Sequence, residues 1–159
     1  MAEILRAGPA MMTTIPNIAV KRTRVLVAED EEDFRGVVVA ELRDDGYEVL
    51  EARDGDELLE LITPPVIFRP PDAIVADIWM PGIDGLSVTA GLRGNGWATP
   101  IILMTANATQ EVHKRAHDLR ADGLFQKPFE MRDLQRELRG LIAHSGGWRA
   151  AAPTLPDLS

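Results

Sequence analysis

The chain has 159 residues, 45% hydrophobic and 26% charged, which fits one globular domain with a sizeable core. Its net charge of −8 argues against nucleic acid or an anionic membrane as the main partner, and the absence of cysteine excludes disulfides and thiolate metal sites. No apolar run approaches the roughly 20 residues of a membrane span, and a cysteine-free chain suits a reducing cytoplasm.

Residues 1–22 read as a flexible N-terminal arm, with two prolines, a glycine and no compact apolar region of the secretory type; Met11 or Met12 could equally be the start. The first element is Val25-Leu26-Val27-Ala28, a continuous apolar run that fits a strand buried on both faces of a parallel sheet. Phe34, Val37, Val38 and Leu42 then fall at i, i+3, i+4 and i+8, predicting a helix that Gly46 stops. Residues 47–51 (Tyr-Glu-Val-Leu-Glu) form a weaker strand, and Asp54-Gly55-Asp56-Glu57 resembles a capping box ahead of Leu58, Leu61 and Ile62. "TPPVIFRPPD", residues 63–72 with four prolines, reads as a loop insertion.

A second strong strand follows at 73–76 (Ala-Ile-Val-Ala), and Leu86, Ala90 and Arg93 are assigned to one face of a third helix. Trp97, beside Gly94-Asn95-Gly96, is expected to pack over a loop. Residues 101–104 (Ile-Ile-Leu-Met) are the third strong strand, and Val112, Ala116 and Leu119 mark a fourth helix. His113 and His117 on that helix lack a third ligand and read as solvent-facing. A weak strand at 124–126 precedes the clearest helical stripe, Met131, Leu134, Leu138, Leu141 and Ile142, and residues 144–159 read as a flexible C-terminal tail. This alternation predicts an α/β fold, a doubly wound five-stranded parallel sheet with five helices on its two faces.

In such sheets functional groups gather at the carboxyl ends of strands. The first strand ends in Glu29-Asp30, the third in Asp77, the fourth in Thr105 and the fifth in Lys127-Pro128. Asp77 closes an apparently buried strand, where an unpaired carboxylate costs several kcal/mol, roughly, so compensation must come from elsewhere in the fold. Clustered carboxylates repel unless a cation binds, and hard oxygen ligands suit Mg²⁺. A carboxylate beside such an ion can act as a nucleophile toward phosphorus, with Lys127 and Thr105 placed to meet the transferred group. Taken alone, "EDEED" would be a solvated helix start, Thr105 a strand-end hydroxyl and Lys127-Pro128 a turn.

The stretches "VLVAEDEEDFR", "IVADIWMPGIDG", "IILMTA" and "FQKPF", in this order, resemble the receiver domain of bacterial two-component response regulators, similar to the single-domain chemotaxis regulator. The resemblance spans about residues 23–143. It implies a flavodoxin-like fold with strand order 2-1-3-4-5 and a cis Lys127–Pro128 peptide. It implies Asp77 as phosphoacceptor, Glu29, Asp30, Asp77 and the Trp79 backbone carbonyl around Mg²⁺, Thr105 as switch hydroxyl, and Lys127 on the phosphoryl group. The expected protein is not an enzyme acting on other molecules. It is a stand-alone cytoplasmic signalling protein, phosphorylated by a sensor histidine kinase or phosphotransfer protein and acting through contacts with an unnamed downstream protein. A DNA-binding output is disfavoured because little chain follows residue 145, and a homodimer is left open.

Two positions depart from the usual pattern. Leu124 stands where most receivers carry Tyr or Phe, with Phe125 next to it, and Trp79 lies two residues beyond Asp77. Three other classes fit less well. A phosphorylation-independent module would usually lack the acceptor or the lysine. A flavin carrier of this topology needs a hydroxyl- and glycine-rich phosphate cradle where "EDEED" stands. An aspartate-nucleophile phosphatase would prefer an acid at the position of Trp79.

Overall fold

The computed structural model describes residues 22–63 and 69–145. The expected N-terminal arm as far as residue 21, residues 64–68 of the proline-rich stretch, and the expected tail from residue 146 lie outside them. Ten elements alternate: β1 (Arg24–Ala28), α1 (Glu32–Asp44), β2 (Glu48–Ala52), α2 (Gly55–Ile62), β3 (Ala73–Asp77), α3 (Gly85–Gly94), β4 (Ile101–Thr105), α4 (Gln110–Asp118), β5 (Gly123–Gln126) and α5 (Met131–His144).

The strands form one parallel sheet in the order β2-β1-β3-β4-β5. Every residue of β3 and β4 is buried, whereas the edge strands β2 and β5 are partly open. That difference explains the sequence signal. Strands covered on both faces need unbroken apolar runs, while edge strands tolerate Glu48, Glu51 and Gln126.

Side chains alternate between two cores. Leu26, Ala28, Ile74, Ala76, Ile101 and Leu103 pack with α2, α3 and α4. Val25, Val27, Val75, Ile102 and Met104 pack with α1 and α5, around Leu42, Leu134 and Leu138. Helices on both faces are what right-handed crossovers impose on this strand order.

Helix ends follow local chemistry. Asp54, Asp84 and Thr109 cap α2, α3 and α4 by accepting the N–H groups of Glu57 (2.7 Å), Ser87 (2.8 Å) and Val112 (3.2 Å). The expected capping box is modified: Glu57 reaches back to the Arg53 N–H (3.0 Å), one residue ahead of the cap. Gly46 and Gly96 end α1 and α3 at positive φ (94° and 82°), where the next N–H returns to the carbonyl of Leu42 or Leu92.

Two expected helix positions and one loop position are corrected. Val37 is 52% exposed, and α1 buries Val38, Val39 and Leu42 instead. Three consecutive valines offer two overlapping stripes, and spacing cannot choose between them. On α3, Ala90 is exposed while Leu86, Val88, Thr89 and Leu92 are buried. Trp97 is buried within the α2–α3–α4 core rather than lying over a loop. His113 and His117 face solvent as expected.

Candidate functional site

The alternation of side chains decides which strand-end residues can meet. Glu29 continues the parity of Val25 and Val27, Asp77 that of Ala73 and Val75, and Lys127 that of Phe125, so all three lean toward the α1–α5 side. They do meet. Lys127 Nζ donates to Glu29 Oε2 and to Asp77 Oδ2, both at 2.6 Å, across 98 and 50 residues of sequence. The lone acid at the end of β3 is therefore compensated by an ammonium from the end of β5.

Backbone bonds hold each strand end in line. Ile78 N–H reaches the Met104 carbonyl (2.8 Å), Lys127 N–H the Thr105 carbonyl (2.8 Å), and Glu29 N–H the Ala52 carbonyl (3.0 Å). The Lys127–Pro128 peptide is cis. Asp77 Oδ1 accepts the Trp79 N–H (2.9 Å), and Glu29 Oε1 accepts the Glu31 N–H (3.0 Å). The loop after β3 closes on itself, with the Gly85 N–H returning to the Ile78 carbonyl at 2.9 Å. A Cβ at Gly85 would run into the Asp77 carbonyl oxygen, so a residue without one lets α3 begin directly against the end of β3.

Burial sets the electrostatics. Glu29 is wholly buried and Asp77 nearly so, while Asp30 is exposed. Burial pushes the Glu29 carboxyl up to about 7, although the Lys127 ammonium and the Glu31 N–H pull it back. For Lys127 burial favours the neutral amine, but its hydrogen bonds to Asp77 and Glu29 outweigh that and raise its pKa.

Carboxylate oxygens of Glu29, Asp30 and Asp77 all lie within 4.8 Å of one another. Three acids against one ammonium leave an excess of negative charge on hard oxygen donors, and the exposed Asp30 gives water access to them. That donor set fits a small divalent cation such as Mg²⁺.

Thr105 is fully buried at the end of β4, its Oγ1 accepting the Asn107 N–H at 3.1 Å. Trp79 is 59% exposed, its backbone pinned beside Asp77. Leu124 packs with the α2–α3–α4 core and Phe125 with the α1–α5 core, so the two occupy opposite faces of the sheet.

Two neighbours of the site escape a reading by motif. Arg35 Nη1 donates to the Glu29 carbonyl at 2.8 Å, tying α1 to the acidic loop. The Phe34 ring lies 4.5 Å from Lys127 Nζ. Spacing assigns Phe34 to the apolar stripe of α1, and only its place one turn after the acids hints at a site position.

Residues 25–139 match the family described as the response regulator receiver domain. The response regulator MprA of Mycolicibacterium vanbaalenii is 36% identical over 140 residues, which cover 86% of this chain and 59% of that protein. The chain thus spans about half to three fifths of the length of the curated relatives it matches. Among solved structures, the receiver domain of response regulator 1452 of Francisella superposes with a TM-score of 0.72 at 28% identity, covering 78% of this chain and 99% of that one. The receiver domain of a sensor histidine kinase from Pseudomonas aeruginosa, solved with a magnesium ion coordinated in its active site cleft, gives a TM-score of 0.68 at 32% identity, covering 77% and 99%. With the 2-1-3-4-5 sheet, the acid cluster at its carboxyl edge and these likenesses in hand, the chain belongs to the response regulator receiver domains of two-component signalling systems.

Proposed function

We propose that this receiver takes a phosphoryl group on Asp77 from a sensor histidine kinase or phosphotransfer protein and passes the signal on by protein contact. The observation that carries the reading is the Lys127 ammonium bridging Glu29 and Asp77 at 2.6 Å each, beside an acid cluster fit for Mg²⁺. Glu29, Asp30, Asp77 and the Trp79 carbonyl are the groups that would hold the ion; when bound, it supplies positive charge beside the transferring phosphoryl oxygens. The magnesium-bearing Pseudomonas receiver supports this assignment.

In the transfer, an Asp77 carboxylate oxygen attacks the phosphorus of a phosphohistidine. The oxygen–phosphorus bond forms as the phosphorus–nitrogen bond breaks, and the departing imidazole takes up a proton. Lys127 then exchanges its carboxylate contact for a phosphoryl oxygen, so the ammonium is in place before charge arrives and little reorganisation is needed. Thr105, at the end of the neighbouring strand, supplies a hydroxyl that reads the new group and moves the loop that follows it.

Incubation with Mg²⁺ and a small phosphodonor should add one phosphoryl group, read by intact mass and mapped to position 77. Asp77→Asn should accept none. A label that persists in that variant, or that maps elsewhere in the parent, overturns the assignment.

A further inference from the structure

The Lys127 ammonium has three donors, and two are spent on Glu29 and Asp77. A third side of the ammonium is met by the face of an aromatic ring, Phe34 of α1, whose centroid lies 4.5 Å from Nζ. That ring is itself fixed. Phe129 meets it edge-on (centroids 5.9 Å apart, planes at 86°), and Phe125 packs against Phe129 at 5.2 Å. Three rings from α1, β5 and the segment after Pro128 thus form a backing behind one side chain.

We propose that Phe34 is a positioning residue for Lys127: its ring face holds the ammonium at the edge shared by Glu29 and Asp77. This rests on the phosphoacceptor reading of the site and names a further residue that serves it. Lys carries a flexible four-carbon stem, and an ammonium left to its two hydrogen bonds would leave the cluster whenever those bonds exchange. The ring restrains it without competing for it. A third carboxylate would hold Lys127 against an incoming phosphoryl oxygen, whereas the ring's electron-rich face keeps its attraction while the hydrogen-bond partners change. The ring is anchored on its other side, where Phe34, partly buried, packs against the α1–α5 core. An aliphatic residue of similar size would fill the space and give up the attraction.

Two measurements test this. In the unmodified protein, ring current from Phe34 should shift the Lys127 ε-methylene protons upfield in NMR spectra. The shift should vanish in Phe34→Leu and persist in Phe34→Tyr. With a small phosphodonor and Mg²⁺, Phe34→Leu should be phosphorylated about tenfold more slowly, with rescue by Phe34→Tyr. Leucine is smaller than phenylalanine and loses the edge contact with Phe129, so the rate is read beside the upfield shift of the parent, which a ring packed away from Lys127 would not produce. Wild-type rates in Phe34→Leu overturn the proposal, as does the absence of an upfield shift in the parent protein, a result that needs no variant to fold. If the parent shows the shift but Asp77 takes no phosphoryl group, the function assigned to the site fails while the hold of Phe34 on Lys127 stands.

Discussion

At the scale of single residues, the site is a set of charges whose meaning depends on what faces them. Asp77 is recognisable in sequence because an acid closes an apolar run, but its compensation by Lys127 is set by the fold across 50 residues. Trp79 is the residue whose behaviour sequence leaves most open. The structure pins its backbone to Asp77 Oδ1 at 2.9 Å and leaves its side chain 59% exposed. Loss of a phosphoryl group from Asp77 needs a water in line with the breaking phosphorus–oxygen bond. An indole beside that line presents apolar surface and a lone N–H donor, and it cannot serve as a base. Trp79→Asn should therefore shorten the phosphoryl half-life, by about tenfold if roughly 1.4 kcal/mol of barrier is removed. Half-lives of the two proteins under identical conditions, with Mg²⁺ present, check this; an equal or longer one in Trp79→Asn would mean the indole stands clear of the water's path.

At the scale of elements, the helix ends show how local rules were met and where one was broken. α4 closes with the same returning bonds as α1 and α3, Arg120 N–H to the His117 carbonyl and Ala121 N–H to the Ala116 carbonyl, both 2.9 Å. Yet the residue at positive φ there is Arg120 (62°), not glycine. A left-handed non-glycine residue costs roughly 1–2 kcal/mol, against roughly 0.5–1 kcal/mol of added entropy loss for glycine. Arg120→Gly should accordingly raise stability by about 0.5–1 kcal/mol, seen as a higher denaturant midpoint at unchanged slope. The Arg120 carbonyl that accepts Arg93 Nε at 3.1 Å is retained in that variant. Strand β5 bears on signalling. Phe125 packs toward α1 and α5, on the face opposite Leu124, so its ring cannot stand in for one at position 124. Phosphorylation-dependent NMR shifts in α4 should then survive in Phe125→Leu and disappear in Thr105→Ala. The reverse pattern would place the switch on the α1–α5 side.

At the scale of the whole molecule, element order was legible because the three inner strands are continuous apolar runs and the helices between them carry their own period. The partly open edge strands β2 and β5 gave only weak signals. Strand order was not legible in that way: a buried parallel strand such as β4 reads the same whichever strands flank it, so 2-1-3-4-5 came from resemblance. The contact of Phe34 with Lys127 was hidden for the same reason, since only the completed sheet brings α1 against the end of β5. Assembly of the acid cluster also has a global consequence. Folding brings Asp77 within 4.8 Å of the neighbouring acids Glu29 and Asp30, whereas the unfolded chain lets it move away, so its repulsion with them weighs mainly on the native state. A divalent cation that binds only the folded cluster reverses this by mass action, adding about 2.7 kcal/mol at roughly a hundredfold excess over its dissociation constant. Asp30 is the acid to change, because it is exposed and, among the described residues, no hydrogen bond or ion pair engages its carboxylate. Asp30→Asn should therefore raise stability without Mg²⁺ and blunt the gain when Mg²⁺ is added. Unfolding curves across a Mg²⁺ titration will show two lines that start in one order and cross. Parallel lines for the two proteins would mean that Asp30 takes no part in holding the ion.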